Sequence, residues 1–202
     1  MHAFVAPVAV SPLVEVAFAN GKPGAVVFVD HSLTPRYGCK GKGKGAAQWL
    51  QSLGLPLPAA PNRWLPLAEE GLIARLGMQE FLIDGNADVV ARLQASPPPA
   101  DVAAVLRQDA ALELSGPGLS ELLLQTCAVD FAALDLAEQP VVLTRMTGVG
   151  VTVIPGASSY RIWCDGTYGA ALWESLYAVA ADLPEPPAQS LHSTDRSSEH
   201  DA

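Results

Sequence analysis

Cysteine is rare in this chain, and lysine nearly as rare. Cys39, Cys127 and Cys164 stand far apart in 202 residues, with no CxxC spacing and no Cys/His pattern. That excludes a structural zinc site and a disulfide framework. It reads as a reducing, cytoplasmic interior, with Cys127 and Cys164 buried as small hydrophobes. No apolar run approaches the roughly 18 residues that span a bilayer, so no membrane partner is expected. The opening segment MHAFVAPVAVSPLVEVAFANGK lacks a basic leading stretch and is broken by Pro7 and Pro12, so it does not read as a signal peptide. Basic charge is short as well. The 12 Lys and Arg face 21 Asp and Glu, for a formal charge of −9. Such a surface repels a phosphate backbone and argues against a nucleic-acid partner. The Gly-x-Ser-x-Gly elbow of hydrolases is also missing.

Half of the residues are apolar, enough for one domain or two small halves sharing a core. The organising stretch is 35–53, PRYGCKGKGKGAAQWLQSL, which holds three of the four lysines (Lys40, Lys42, Lys44). It reads as a glycine-rich basic turn opening a helix over 45–53, with Ala46, Trp49, Leu50 and Leu53 on one face and Gly54 ending it. Residues 1–24 are apolar but punctuated by proline, an extended N-terminal arm that packs on the core or on a partner. The run 25–30 (AVVFVD) is a buried strand. Residues 71–76 and 80–84 form a hairpin turning at 77–79. A helix over 87–95 is stopped by Ser96-Pro97-Pro98-Pro99, the expected joint between halves at about 25–96 and 100–183. The second half reads as a strand at 110–114, a helix at 118–127, three β runs (141–146, 149–154, 160–164) and a helix over 168–183. From 184 on, the polar, proline-rich composition predicts a disordered tail. This order gives an α+β fold class, antiparallel sheets covered by helices, in two pseudo-repeated halves.

Gly38 to Lys44 has the GxxxxGK spacing of a phosphate-binding loop, but Gly45 stands where Ser or Thr must hold magnesium. A nucleotide-binding reading of GCKGKGKG therefore ranks last. A looser anion site at the helix start ranks above it, and a solvated basic turn that caps the helix ranks first. Asp30-His31 reads as a strand terminus with the imidazole bonded locally. Cys39 reads as a loop thiol beside Lys40. Glu113 breaks the apolar run AALEL and is expected to face solvent. His192 and His200 lie in the tail without partners for a metal. Trp49, Trp64, Trp163 and Trp173 read as core or interface anchors.

Four segments in order, YGCKGKGKGAAQWLQSLGLPLPAAPNRW, GLIARLGMQEFLI, ALELSGPGLSELLLQTCAVDF and YRIWCDGTYGAALWESL, resemble the gamma subunit family of heterotetrameric sarcosine oxidase. The resemblance spans about residues 36–183. It implies a fold like the folate-binding domain of glycine-cleavage T-protein. It further implies a small non-flavin accessory subunit in a complex that oxidatively demethylates sarcosine or a related N-methyl amino acid. The large flavin- and folate-binding partner subunits would hold FAD, FMN, NAD and tetrahydrofolate, with no cofactor bound by this chain alone. The alternative is a stand-alone tetrahydrofolate-binding module of T-protein type. Candidate ligand or partner contacts are Arg36, Lys40, Lys42, Lys44 and Trp49; no catalytic or metal-ligating residue is assigned.

Overall fold

The computed structural model describes residues 9–19 and 24–184. Helix α1 (Val14–Ala19) leads to β1 (Val27–Asp30), β2 (Arg36–Gly41), α2 (Gly45–Ser52), β3 (Arg63–Pro66), β4 (Leu72–Arg75) and β5 (Glu80–Asp84). Helix α3 (Ala87–Ala95), β6 (Val102–Val105), β7 (Ala110–Ser115) and α4 (Leu119–Thr126) follow, then β8 (Val142–Met146), β9 (Val149–Pro155), β10 (Ser159–Cys164) and α5 (Gly169–Ala181). Two five-stranded sheets result, in the orders β1-β7-β10-β9-β8 and β3-β4-β5-β2-β6, and all their pairings are antiparallel.

Strand alternation sorts the side chains of each sheet into two layers. On the first sheet, Leu112, Leu114 and Ile162 join Leu122, Leu172, Trp173 and Leu176 of α4 and α5 in one core. On the second, Ile73, Phe81 and Ile83 pack against Ala46, Trp49 and Leu50 of α2 and Val90 and Leu93 of α3. The opposite faces meet each other: Leu72, Ala74 and Leu82 pack with Ala111, Ile154 and Trp163. The stacking is helices, sheet, sheet, helices. The predicted α+β class with helix-covered antiparallel sheets is thus the one observed.

The predicted hairpin forms β4 and β5, with Leu72 opposite Asp84 and Arg75 opposite Phe81. Helix α3 begins at Asn86, whose side chain accepts from the Val89 N–H at 2.8 Å and so satisfies a free first-turn donor. Three readings need correction. Residues 36–41 are a strand, β2, hydrogen-bonded to β5 on one side and β6 on the other, so the basic turn shrinks to the stretch between Gly41 and Gly45. Sheet membership cuts across the halves 25–96 and 100–183, because β1 pairs with β7 while β6 pairs with β2. The arm is not extended throughout: α1 lies within it, and Leu13 and Val16 pack into the chain's own core. The rest of that arm (1–8 and 20–23) and the tail from 185, with His192 and His200, lie outside the described residues.

Candidate functional site

Charge enters the layer between the sheets at one end. Glu113 follows the face of Ala111, because Leu112 and Leu114 take the helix side. In register it stands between Val29 of β1 and Arg161 of β10. Arg161 Nε lies 3.4 Å from Glu113 Oε2, and Arg161 Nη1 donates to the Glu70 carbonyl at 3.1 Å. His31, just past β1, brings its Nε2 to 3.6 Å from the same carboxylate oxygen. From the facing sheet come Asp84 and Arg36, directly opposite each other in register. Their side chains are 3 % and 2 % exposed, with Arg36 Nε 3.2 Å from Asp84 Oδ1.

Arg36 is a clamp. Its Nη1 donates to the Ser32 carbonyl at 3.2 Å and the Asp109 carbonyl at 3.1 Å, and its Nη2 to the His31 carbonyl. One guanidinium therefore ties β2 and β5 to the segment after β1 and to the strand start before β7. Burial pushes the Asp84 carboxyl above its ordinary range, and the Arg36 and Arg161 guanidinium groups pull it back. The Trp163 indole N–H also favours the charged Asp84, and among the described residues it has no partner within strict hydrogen-bonding geometry.

Two openings share Arg161 and Glu70 as a common wall. The inner one, about 100 Å³, is lined by His31, Thr34, Glu69, Asp84, Leu112 and Trp163 among others. The outer one, about 380 Å³, is lined mainly by Trp64, Pro66, Leu67, Ile154 and Pro155, with Glu113 and Ser159 as polar groups. Glu69 and Glu70 both have positive φ, 57° and 59°, where non-glycine residues are uncommon, so the tertiary packing holds this rim in place. Among the described residues no cluster of three or more His, Cys, Asp or Glu has metal-site geometry.

None of the expected contact residues lines either opening. Arg36 borders this charged seam between the two sheets but is buried in its ion pair with Asp84. Lys40 projects from β2 and pairs with Glu80 at 3.3 Å. It lies four residues along the strand from Arg36, roughly 13 Å away, and none of the three lysines lines either opening. Lys42 and Lys44 are exposed. The helix start beside them is already occupied: Gln79 Oε1 takes the Ala47 N–H at 3.2 Å, and the Asp101 carboxylate fills the space where a side chain on Gly45 would be, 2.1 Å from that Cβ position. The phosphate-loop reading fails on geometry, since Gly38, Cys39, Lys40 and Gly41 are paired strand. Trp49 is a core residue against Tyr37, ring centroids 6.1 Å apart.

Cys39 is likewise no loop thiol. It is fully buried, and desolvation pushes its pKa up to about 12, the reverse of activation. Cys164 is buried too and raised to about 11 by the same cause, whereas Cys127 is half-buried. His31 does not bond locally, since its imidazole faces Glu113, and Glu113 faces the seam rather than open solvent. The signal that could have found this site was the lone carboxylate in AALEL, paired with the lone arginine in YRIWC.

No family model matches the chain, and no curated protein sequence matches it. Among solved structures it is similar to a chain of the heterotetrameric sarcosine oxidase from Corynebacterium sp. U-96, solved in complex with pyrrole 2-carboxylate. That likeness has a TM-score of 0.73 at 20 % identity and covers 89 % of this chain and 99 % of the other. The glycine cleavage system aminomethyltransferase T from Bartonella henselae is also similar, with a TM-score of 0.54 at 16 % identity, over 79 % of this chain and 50 % of that one. The chain has the fold common to these two proteins, as the motif resemblance implied.

Proposed function

We propose that this chain is a small, non-flavin accessory subunit of a heteromeric flavoenzyme complex that oxidatively demethylates sarcosine or a related N-methyl amino acid in the cytoplasm. The observation that carries the reading is coverage. The chain matches 99 % of one chain of a heterotetrameric sarcosine oxidase but 50 % of the aminomethyltransferase. A stand-alone tetrahydrofolate-binding module has less support for the same reason. In that reading Lys40, Lys42 and Lys44 would draw the anionic tail of the folate, yet none of them lines either opening. In this reading FAD, FMN, NAD and tetrahydrofolate belong to the large partner subunits.

What this chain contributes is surface. Leu106, Met78 and Leu124 are large apolar side chains, respectively 80 %, 70 % and 67 % exposed, and a partner would cover such side chains. Trp49, Trp163 and Trp173 are buried and unavailable for that role. Among the described residues no helix is long and apolar enough to cross a membrane. Co-expression with large flavin-binding subunits of the sarcosine oxidase type, followed by gel filtration and mass spectrometry, tests the proposal. Co-elution in a fixed ratio is expected. A monomer indifferent to those partners, or turnover of an N-methyl amine by this chain alone, overturns it.

A further inference from the structure

The outer strands of the two sheets do not end alike. The free sides of β3 and β8 are engaged: the Trp64 N–H donates to the Gln139 carbonyl at 3.0 Å, the Val141 N–H donates to the Asn62 carbonyl at 2.9 Å, and Met146 bridges to Cys127. Strand β1 ends in a charge, Asp30, whose carboxylate holds the Ser11 hydroxyl and the Ser32 N–H. Strand β6 has neither device. It pairs with β2 on one side, and among the described residues no strand pairs with the other side. Its run from Val102 to Leu106 (VAAVL) holds no proline and no charge, the residues that ordinarily blunt a sheet edge. Ala103 and Ala104 are exposed, and Leu106 is 80 % exposed. The Lys42 N–H donates to the Asp101 carbonyl at 3.0 Å, which fixes the parity of the ladder. Asp101, Ala103 and Val105 aim their backbone groups at β2, so Val102, Ala104 and Leu106 aim theirs outward. The Val102 N–H turns back to the Pro99 carbonyl at 2.9 Å. The Ala104 N–H and carbonyl are left without a partner among the described residues.

We infer that β6 is a pairing edge for a second copy of this chain, joined antiparallel about a two-fold axis at Ala104. In that register Ala104 meets its own counterpart, and the two exchange N–H to carbonyl bonds. Each Leu106 N–H reaches the Val102 carbonyl of the other copy. Ala103 falls opposite Val105 and Val102 opposite Leu106, so every cross-strand pair is apolar. The flanking charges suit the same arrangement, because the exposed Asp101 at the end of one strand lies toward Arg107 at the end of the other. The segment is its own complement, and the contact is isologous. It is also short, which makes a weak dimer with a Kd on the order of 10 µM. This inference does not rest on the subunit reading. It concerns copies of this chain alone, so a chain that is monomeric by itself yet assembles with flavin-binding subunits sinks the one and leaves the other standing.

Sedimentation equilibrium on the full chain, from about 1 to about 200 µM, tests it. Salt at about 0.15 M screens the repulsion between two copies of formal charge −9. A monomer–dimer equilibrium is expected. Ala104→Pro removes an outward N–H and spares the bonds to β2, and Leu106→Lys sets a charge on the edge. Each is expected to weaken the dimer by about tenfold or more. The register has its own test in a Cys127→Ser background under mild oxidation. Across the axis the two copies of Ala104 stand about 5.5 Å apart between Cα atoms, within disulfide range, so Ala104→Cys should cross-link. The two copies of Ala103 stand diagonally at about 7–8 Å, so Ala103→Cys should not. A monomer throughout the concentration range overturns the inference. So does a dimer that both edge variants leave unchanged, or one that Ala104→Cys fails to cross-link. Should Ala104→Pro fail to fold, Leu106→Lys and the cross-link decide the matter.

Discussion

Replacing Arg36 by methionine removes a guanidinium that is 2 % exposed and keeps most of the side-chain volume. Four acceptors lose their donor together: Asp84 Oδ1 and the carbonyls of Ser32, Asp109 and His31. The carboxylate is the costly one, because it stays buried with its counter-charge gone. Breaking one side of such a pair costs about 3–5 kcal/mol, a large share of the roughly 5–15 kcal/mol by which a domain is stable.

The pH dependence has a definite sign. Burial already holds the Asp84 carboxyl above its ordinary range. Its contribution to stability is therefore most favourable in acid and is lost as pH rises through its folded-state pKa. Without Arg36 the carboxyl moves higher still, so Arg36→Met should lose more stability near about pH 8 than near about pH 5. Urea unfolding followed by circular dichroism at both pH values measures this. The double variant Arg36→Met, Asp84→Leu should recover most of the loss, since no charge is left buried alone. A single-variant loss below about 1 kcal/mol, or the same loss at both pH values, would refute this account of the seam.

Three further outcomes are expected. In the native protein a thiol reagent such as Ellman's should modify Cys127 first, with Cys39 and Cys164 reacting only on unfolding, because burial raises both thiols to about 12 and about 11. Rapid native labelling of Cys39 would contradict the placement of β2. Gly38→Ala places a Cβ 2.8 Å from Arg107 Nε and 2.9 Å from the Val105 carbonyl oxygen, and thermal melts should show about 1–3 kcal/mol of destabilisation from overpacking. By contrast, Lys42→Ala and Lys44→Ala, both at exposed positions, should stay within about 0.5 kcal/mol of the unaltered chain.

Local chemistry was enough to read much of this fold from its residues. The 72–84 hairpin, α3 between Asn86 and the three prolines, and α2 ahead of Gly54 at φ 76° each depend on neighbours in the chain. Strand β2 escaped because its composition argues against it. Gly38 and Gly41 are unfavourable in a strand taken alone, yet here they leave room for Arg107 and for the backbone of Ala46, and β5 and β6 supply hydrogen bonds on both sides. Arg36 was picked out from the residues as a contact, but its role could not be read there, since its partners lie up to 73 residues away.

The seam belongs wholly to the tertiary structure. His31, Asp84, Glu113 and Arg161 are separated by long stretches of chain, and only the register of β1, β7 and β10 and the facing of two sheets brings them together. Residue order encodes which face a side chain takes, because alternation is local. It does not encode which distant face lies opposite, because packing between sheets makes that choice.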